Sequence, residues 1–124
     1  MSYSGKWKTT QYPAIFANGK VWVNVEKKKA DFTLQYQGTY QHGLVRKLTA
    51  TIEGKKGSAS GAIFHVKSAS NQSISFTADH WTDDEIKGTY QCRNPDDQGT
   101  FEVKLQPEGS KEPPEARNGG CVIL

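Results

Sequence analysis

Apolar residues recur at every second position along much of the chain, in short runs separated by polar and glycine-rich stretches. The clearest are Val21-Val23-Val25, Phe32-Leu34-Tyr36, Leu48-Ala50-Ile52, Ala62-Phe64-Val66, Ile74-Phe76-Ala78, Ile86-Gly88-Tyr90 and Phe101-Val103-Leu105. A period of two is that of a β-strand, whose successive side chains point to opposite faces. Trp7 with Thr9 and Thr10 marks a first strand, which gives about eight strands before residue 106. Turn chemistry falls between the runs, at Asn18-Gly19, Gly43, Gly54-Lys55-Lys56-Gly57, Ser70-Asn71 and Asn94 to Gly99. No window keeps a helical period, and Pro13 to Ala17 reads as one helical turn at most.

Each predicted strand has one apolar face and one face of Thr, Lys, Gln, Ser and Glu. An antiparallel sheet of this kind must cover its apolar side, by closing on itself or by packing on a second sheet. Short connections favour pairing of consecutive strands. The predicted fold is therefore all-β, an up-and-down antiparallel β-barrel, with a two-sheet β-sandwich as the alternative. Eight strands enclose either packed side chains or one small ligand. Gln37-Gly38-Thr39-Tyr40-Gln41 is echoed by Lys87-Gly88-Thr89-Tyr90-Gln91. A duplicated four-strand unit would explain the echo, as would a common strand ending.

Beyond Leu105 the alternation stops and Pro, Gly and charge take over. Residues 1–106 read as the barrel domain, 107–120 as an extended flexible linker and 121–124 as a separate motif. The 124-residue length suits one such domain. No run of 18 apolar residues exists, and the first residues lack the apolar stretch of a secretory signal. Ser at position 2 is not a myristoylation acceptor. A reducing compartment is expected, with no disulfide between Cys92 and Cys121.

The formal charge of +3 hides an asymmetry. Residues 1–67 hold ten lysines and one arginine against three acids, net +8. Residues 68–124 hold three lysines and two arginines against ten acids, net −5. A basic half suits an anionic partner such as lipid headgroups or nucleic acid. Lysine is also the ordinary means of keeping strands soluble.

Cys121-Val122-Ile123-Leu124 has the form of a CaaX box: a cysteine, two aliphatic residues and an accepted last residue. It resembles the tails of prenylated small GTPases and G-protein γ subunits. That resemblance implies prenyl transfer to Cys121, with Val122, Ile123 and Leu124 read by the prenyl transferase. Leu124 favours geranylgeranyl over farnesyl. Such an ending arises by chance in on the order of one chain in a thousand. The alternatives are a plain apolar terminus, or a Val122/Leu124 strand presented to a PDZ-type domain. No phosphate-binding Gly-x-x-x-x-Gly-Lys-Ser/Thr is present, so the GTPase likeness stops at the tail.

One prenyl chain binds membranes reversibly, so a second signal is expected. The linker is not polybasic. Lys27, Lys28, Lys29, Lys55 and Lys56 fall in two predicted turns and are the candidates for meeting anionic lipid. The implied location is the cytoplasmic face of a eukaryotic membrane, and the cytosol before prenylation.

Ser4-Gly5-Lys6-Trp7 places a Gly-x-Trp on the first strand of a short all-β chain. This resembles the calycin superfamily of lipocalins, fatty-acid-binding proteins and avidins. The likeness implies a barrel with Trp7 as a structural plug. There is no room for the helical insertion of the fatty-acid-binding proteins, and no lipocalin C-terminal helix. Trp22, Tyr36, Tyr40, Trp81 and Tyr90 are the ligand-binding candidates. Trp22 is out of phase with Val21 and Val23, and Trp81 falls in an acidic predicted turn.

Little points to catalysis. His42, His65 and His80 lack metal-ligand spacing, and neither Cys-x-x-Cys nor Gly-x-Ser-x-Gly occurs. Asp79, His80, Asp83, Asp84 and Glu85 could hold a cation, but turn acids are ordinarily solvated; Asp96-Asp97 reads as a turn stabiliser. The expectation is a non-enzymatic, prenyl-anchored β-barrel module for a small apolar ligand, a glycan or a protein. No cofactor is called for. A nucleic-acid binder using the basic half, or an enzyme with an unrecognised site, is the alternative.

Overall fold

The computed structural model describes residues 2–39, 42–66, 73–93, 96–107 and 113–115. Eight strands follow in chain order: β1 (Ser2–Thr9), β2 (Asn18–Glu26), β3 (Lys29–Tyr36), β4 (Val45–Gly54), β5 (Ala62–Val66), β6 (Ser73–Trp81), β7 (Glu85–Arg93) and β8 (Asp97–Leu105). Each pairs antiparallel with the next, and β8 returns to pair with β1, closing an up-and-down barrel. Each alternating run of the sequence lies on one of these strands. Val21 and Val23, Phe32 and Leu34, Phe64, Phe76 and Ala78, Ile86, and Phe101 and Val103 are all buried inside.

The interior is filled by rings. Phe32 of β3 stacks on Phe76 of β6 at 4.2 Å between centroids, although two strands separate them in the wall. Phe64 meets Phe32 edge-on at 5.5 Å, and Phe101 meets Phe76 edge-on at 5.4 Å. These contacts cross the barrel axis, so its middle is packed. Burying each such ring contributes about 1.5–3 kcal/mol.

Two local expectations are corrected. Asn18-Gly19 opens β2 and is not a turn; the eight-residue connection before it makes the reversal. Within that connection Phe16 N–H bonds the Pro13 carbonyl at 2.9 Å, a single turn with no helix. Trp81 ends β6 and packs against the core, with the turn formed by the residues after it. The two Gly-Thr-Tyr copies also differ in role. Gln37 to Thr39 lie in the connection after β3, whereas Lys87 to Gln91 lie within β7. A duplicated four-strand unit would put both copies at equivalent places, so the echo is not evidence of one.

Antiparallel order gives the barrel two unlike ends. At the first lie Ser2, the Lys27-Lys28 turn, the β4–β5 connection, the β6–β7 turn and Leu105, where the chain leaves. This is the exit end. The opposite, far end carries the β1–β2 loop, the β3–β4 connection and the start of β8.

Candidate functional site

At the far end the inward residues change from apolar to polar. Trp7, Tyr36 and Tyr90 form an aromatic layer there, Trp7 lying 4.9 Å from Tyr36 and 5.9 Å from Tyr90, edge-on to both. Trp7 is 5 % exposed, and its indole N–H has no hydrogen-bond partner among the described residues. Beyond this layer sits Asp97. Thr9 donates its hydroxyl to Asp97 Oδ1 at 2.6 Å, and Tyr90 donates its phenol to Oδ2 at 2.9 Å. Gln98 N–H bonds Oδ1 at 2.8 Å. Asp97 therefore does more than stabilise its turn: it ties β1, β7 and β8 together.

Arg46 is in phase with the inward residues of β4 and lies close enough to Tyr36 to act on its phenol. Burial pushes the Tyr36 phenol above its ordinary value, and Arg46 pulls it partly back. Tyr90 is pushed up further, by burial first and then by the charge and hydrogen bond of Asp97. Burial, helped by Asp97, also raises the half-buried Cys92 thiol. At neutral pH that keeps the thiol protonated and weakly nucleophilic. Cys92, Arg93, Asp97 and Gln98 line an open polar cleft of about 560 Å³ with Gln11, Gln91 and Asp96.

The raised phenols set an alkaline limit. Both tyrosines hold their protons more tightly folded than unfolded, where they titrate near pH 10. Their contribution is complete below that pH and is lost as pH rises through it. Stability from urea titrations is expected to fall above about pH 10, by up to about 1.4 kcal/mol per pH unit for each phenol. Tyr90→Phe should flatten that slope by up to half. An unchanged slope would mean that Tyr90 ionises freely in the native barrel.

Over the far end lies the β1–β2 loop, with Tyr12 and Phe16 each 49 % exposed and Ile15 65 % exposed. The loop is pinned on both sides. Tyr12 donates its hydroxyl to the Asp96 carbonyl at 3.2 Å, and Thr39 N–H bonds the Ile15 carbonyl at 3.0 Å. Alternation gave no sign of this patch, because the loop lies outside any strand.

Of the ligand-binding candidates, Tyr36 and Tyr90 point inward at the far end, and Trp81 packs on Phe64 at 5.3 Å near the exit end. Trp22 points outward and is partly exposed, with no ring contact among the described residues. These four thus form no shared pocket. Tyr40 lies outside the described residues, as do Cys121, Val122, Ile123 and Leu124.

The five turn lysines do share one end, the exit end. Lys27 adopts φ 44°, an unfavoured conformation for a residue with a Cβ. Their charge is matched, however. Residues 26–29, 53–61 and 82–85 hold five lysines and five carboxylates. Lys56 pairs with Asp83, and Glu85 lies 3.2 Å from His80 and 3.8 Å from Lys87. Two of the four acids of the possible cation site, Asp83 and Glu85, are thus engaged with basic side chains. No three metal-ligating side chains gather among the described residues.

No protein-family model, curated protein or solved structure matches the chain.

Proposed function

We propose that the protein is a non-enzymatic binding module, held at the cytoplasmic face of a eukaryotic membrane by a geranylgeranyl group on Cys121. Its barrel presents an outer surface to a protein or glycan. The observation that supports this most is the polarity of the barrel. The chain leaves at Leu105 from one end, while Tyr12, Ile15 and Phe16 are exposed at the other. A tether at the exit end leaves the far end free for a partner, and exposed apolar patches of this kind are typical of contact surfaces.

The filled axis favours outside binding over an enclosed apolar ligand, because the four phenylalanines occupy the place of an acyl chain. The linker of about fifteen residues can extend far enough to carry Cys121 into a transferase site. The calycin likeness is kept for architecture alone, with Trp7 filling the far-end layer.

The reading takes Leu124 as the carboxyl end, and one measurement addresses both points. Intact mass after expression in a eukaryotic cell should show one geranylgeranyl group with Val122-Ile123-Leu124 removed. Cys121→Ser should leave the mass unmodified and move the protein from the membrane fraction to the soluble one. An unmodified wild-type mass rejects the tether.

A further inference from the structure

The charge that the exit end lacks is found on the side of the barrel. Outward positions on β1 to β4 bring Lys6, Lys8, Lys20 and Lys47 onto one wall. Register sets them close together. Lys6 lies directly opposite Lys20, and the next row runs Ser4, Trp22, Thr33, Lys47 across four strands. None of the four lysines has an ion pair among the described residues. Among the described residues Asp31 lies at one corner, Glu102 lies beside Lys6, and Glu26 and Glu53 stand at the exit-end edge of β2 and β4. Like charges facing each other across a strand pair destabilise a sheet. Folding does not need the Lys6–Lys20 pair, so its presence points to a charge brought from outside. In the middle stands Trp22, outward and without a ring partner among the described residues.

We infer that this wall docks against an anionic lipid surface and is the second membrane signal; the inference rests on the tether proposed above. Three observations favour lipid over other polyanions. The wall carries lysines and no arginine. Lysine is a flexible point charge suited to a diffuse anionic surface, whereas arginine is the residue of shaped phosphate recognition. Second, its one aromatic is a lone Trp, with Lys20 two residues before it on β2 and Lys6 diagonal to it on β1, an arrangement that suits an interface between headgroups and acyl chains. Stacking platforms for single strands set several aromatics side by side, and here Tyr3, Tyr36 and Tyr90 all point inward. Third, the chain leaves the barrel against this wall. Leu105 pairs with Tyr3 of β1, and Gln106 N–H bonds the Ser2 carbonyl at 2.8 Å. A barrel lying on β1 to β4 would therefore have its linker start at the bilayer.

The test uses the full chain carrying Cys121→Ser, so that no prenyl group takes part. It should bind vesicles of phosphatidylcholine with phosphatidylserine and not vesicles of phosphatidylcholine alone. Replacing Lys6, Lys8, Lys20 and Lys47 together by Gln should weaken that binding roughly a hundredfold, at up to about fivefold per lysine. Replacing the five turn lysines should weaken it far less. Brominated lipid should quench Trp22 fluorescence in the bound protein, and Trp22→Phe should abolish the quenching while Trp7 and Trp81 still report an intact barrel. Equal binding to both vesicles, no binding to either, or full binding by the wall variant overturns the inference. So does an oligonucleotide that binds more tightly than anionic vesicles at about 150 mM salt, which would make nucleic acid the partner. An unmodified Cys121 in the mass measurement rejects the tether while leaving a positive vesicle result standing, so the two failures are distinguishable.

Discussion

Phe76→Ala should lower the unfolding free energy by about 3–5 kcal/mol. The ring stacks on Phe32 at 4.2 Å, meets Phe101 edge-on at 5.4 Å and reaches Tyr90 at 6.2 Å. It is 1 % exposed, so its removal leaves a hole on the axis that the rigid wall cannot collapse to fill. Against a typical domain stability of about 5–15 kcal/mol the loss is a large fraction. In urea titrations the midpoint should fall while the slope stays constant. Phe76→Leu should cost less than about half as much, since it keeps most of the volume. A loss below about 1 kcal/mol for the alanine variant would mean that the axis is not packed, and would reopen the enclosed-ligand reading. The cavity offers a second readout, because an apolar hole of that kind stays dry and binds benzene.

Gly88→Ala should be as damaging for a different reason. A Cβ at position 88 would lie 1.7 Å from the Thr77 carbonyl oxygen and 2.8 Å from its carbon, both backbone atoms of the paired β6. No rotamer change relieves that contact, so the two strands must part and give up ladder hydrogen bonds. The expected loss is at least about 3 kcal/mol, at the upper end for overpacked sites. Gly57→Ala is the control. Gly57 has φ +80° and no atom within 4 Å of an added Cβ, so its loss is confined to backbone conformation, about 1 kcal/mol. Chemical denaturation of the two variants separates lack of space from lack of conformational freedom. Equal losses would contradict the close β6–β7 approach.

Strand number and facing were legible because a period of two states both at once. Tyr36 is in phase with Phe32 and Leu34, and Tyr90 with Ile86, so their inward direction was already written in the alternation. Arg46 is likewise in phase with Leu48 and Ala50, although a charge in that series reads as an exception until Tyr36 is seen beside it. What alternation does not carry is register. Lys6 faces Lys20 only because the connection between β1 and β2 has its particular length, and a slip of one residue would turn Trp22 inward. Asp97 reads as a turn residue because Tyr90 meets it only once β7 and β8 pair, and Thr9 reaches it only through closure of the barrel. Pairing across the whole chain length has no local signature. The matching of the turn lysines by acids was hidden for a related reason, since Lys56 and Asp83 meet only when two connections share an end.

That closure also governs the order in which the protein can be made. The seam between β1 and β8 joins Tyr3 to Leu105, so β1 waits for β8. Until then β1 and the most recent strand present unpaired N–H and C=O groups, and a nascent chain in that state is open to pairing with its neighbours. Contacts that bridge the entire sequence form slowly, because the loop they close is long. Barrel assembly should therefore follow release of β8 from the ribosome rather than accompany translation. The tail that trails β8 through the exit tunnel supplies part of the spacing that lets this strand reach β1.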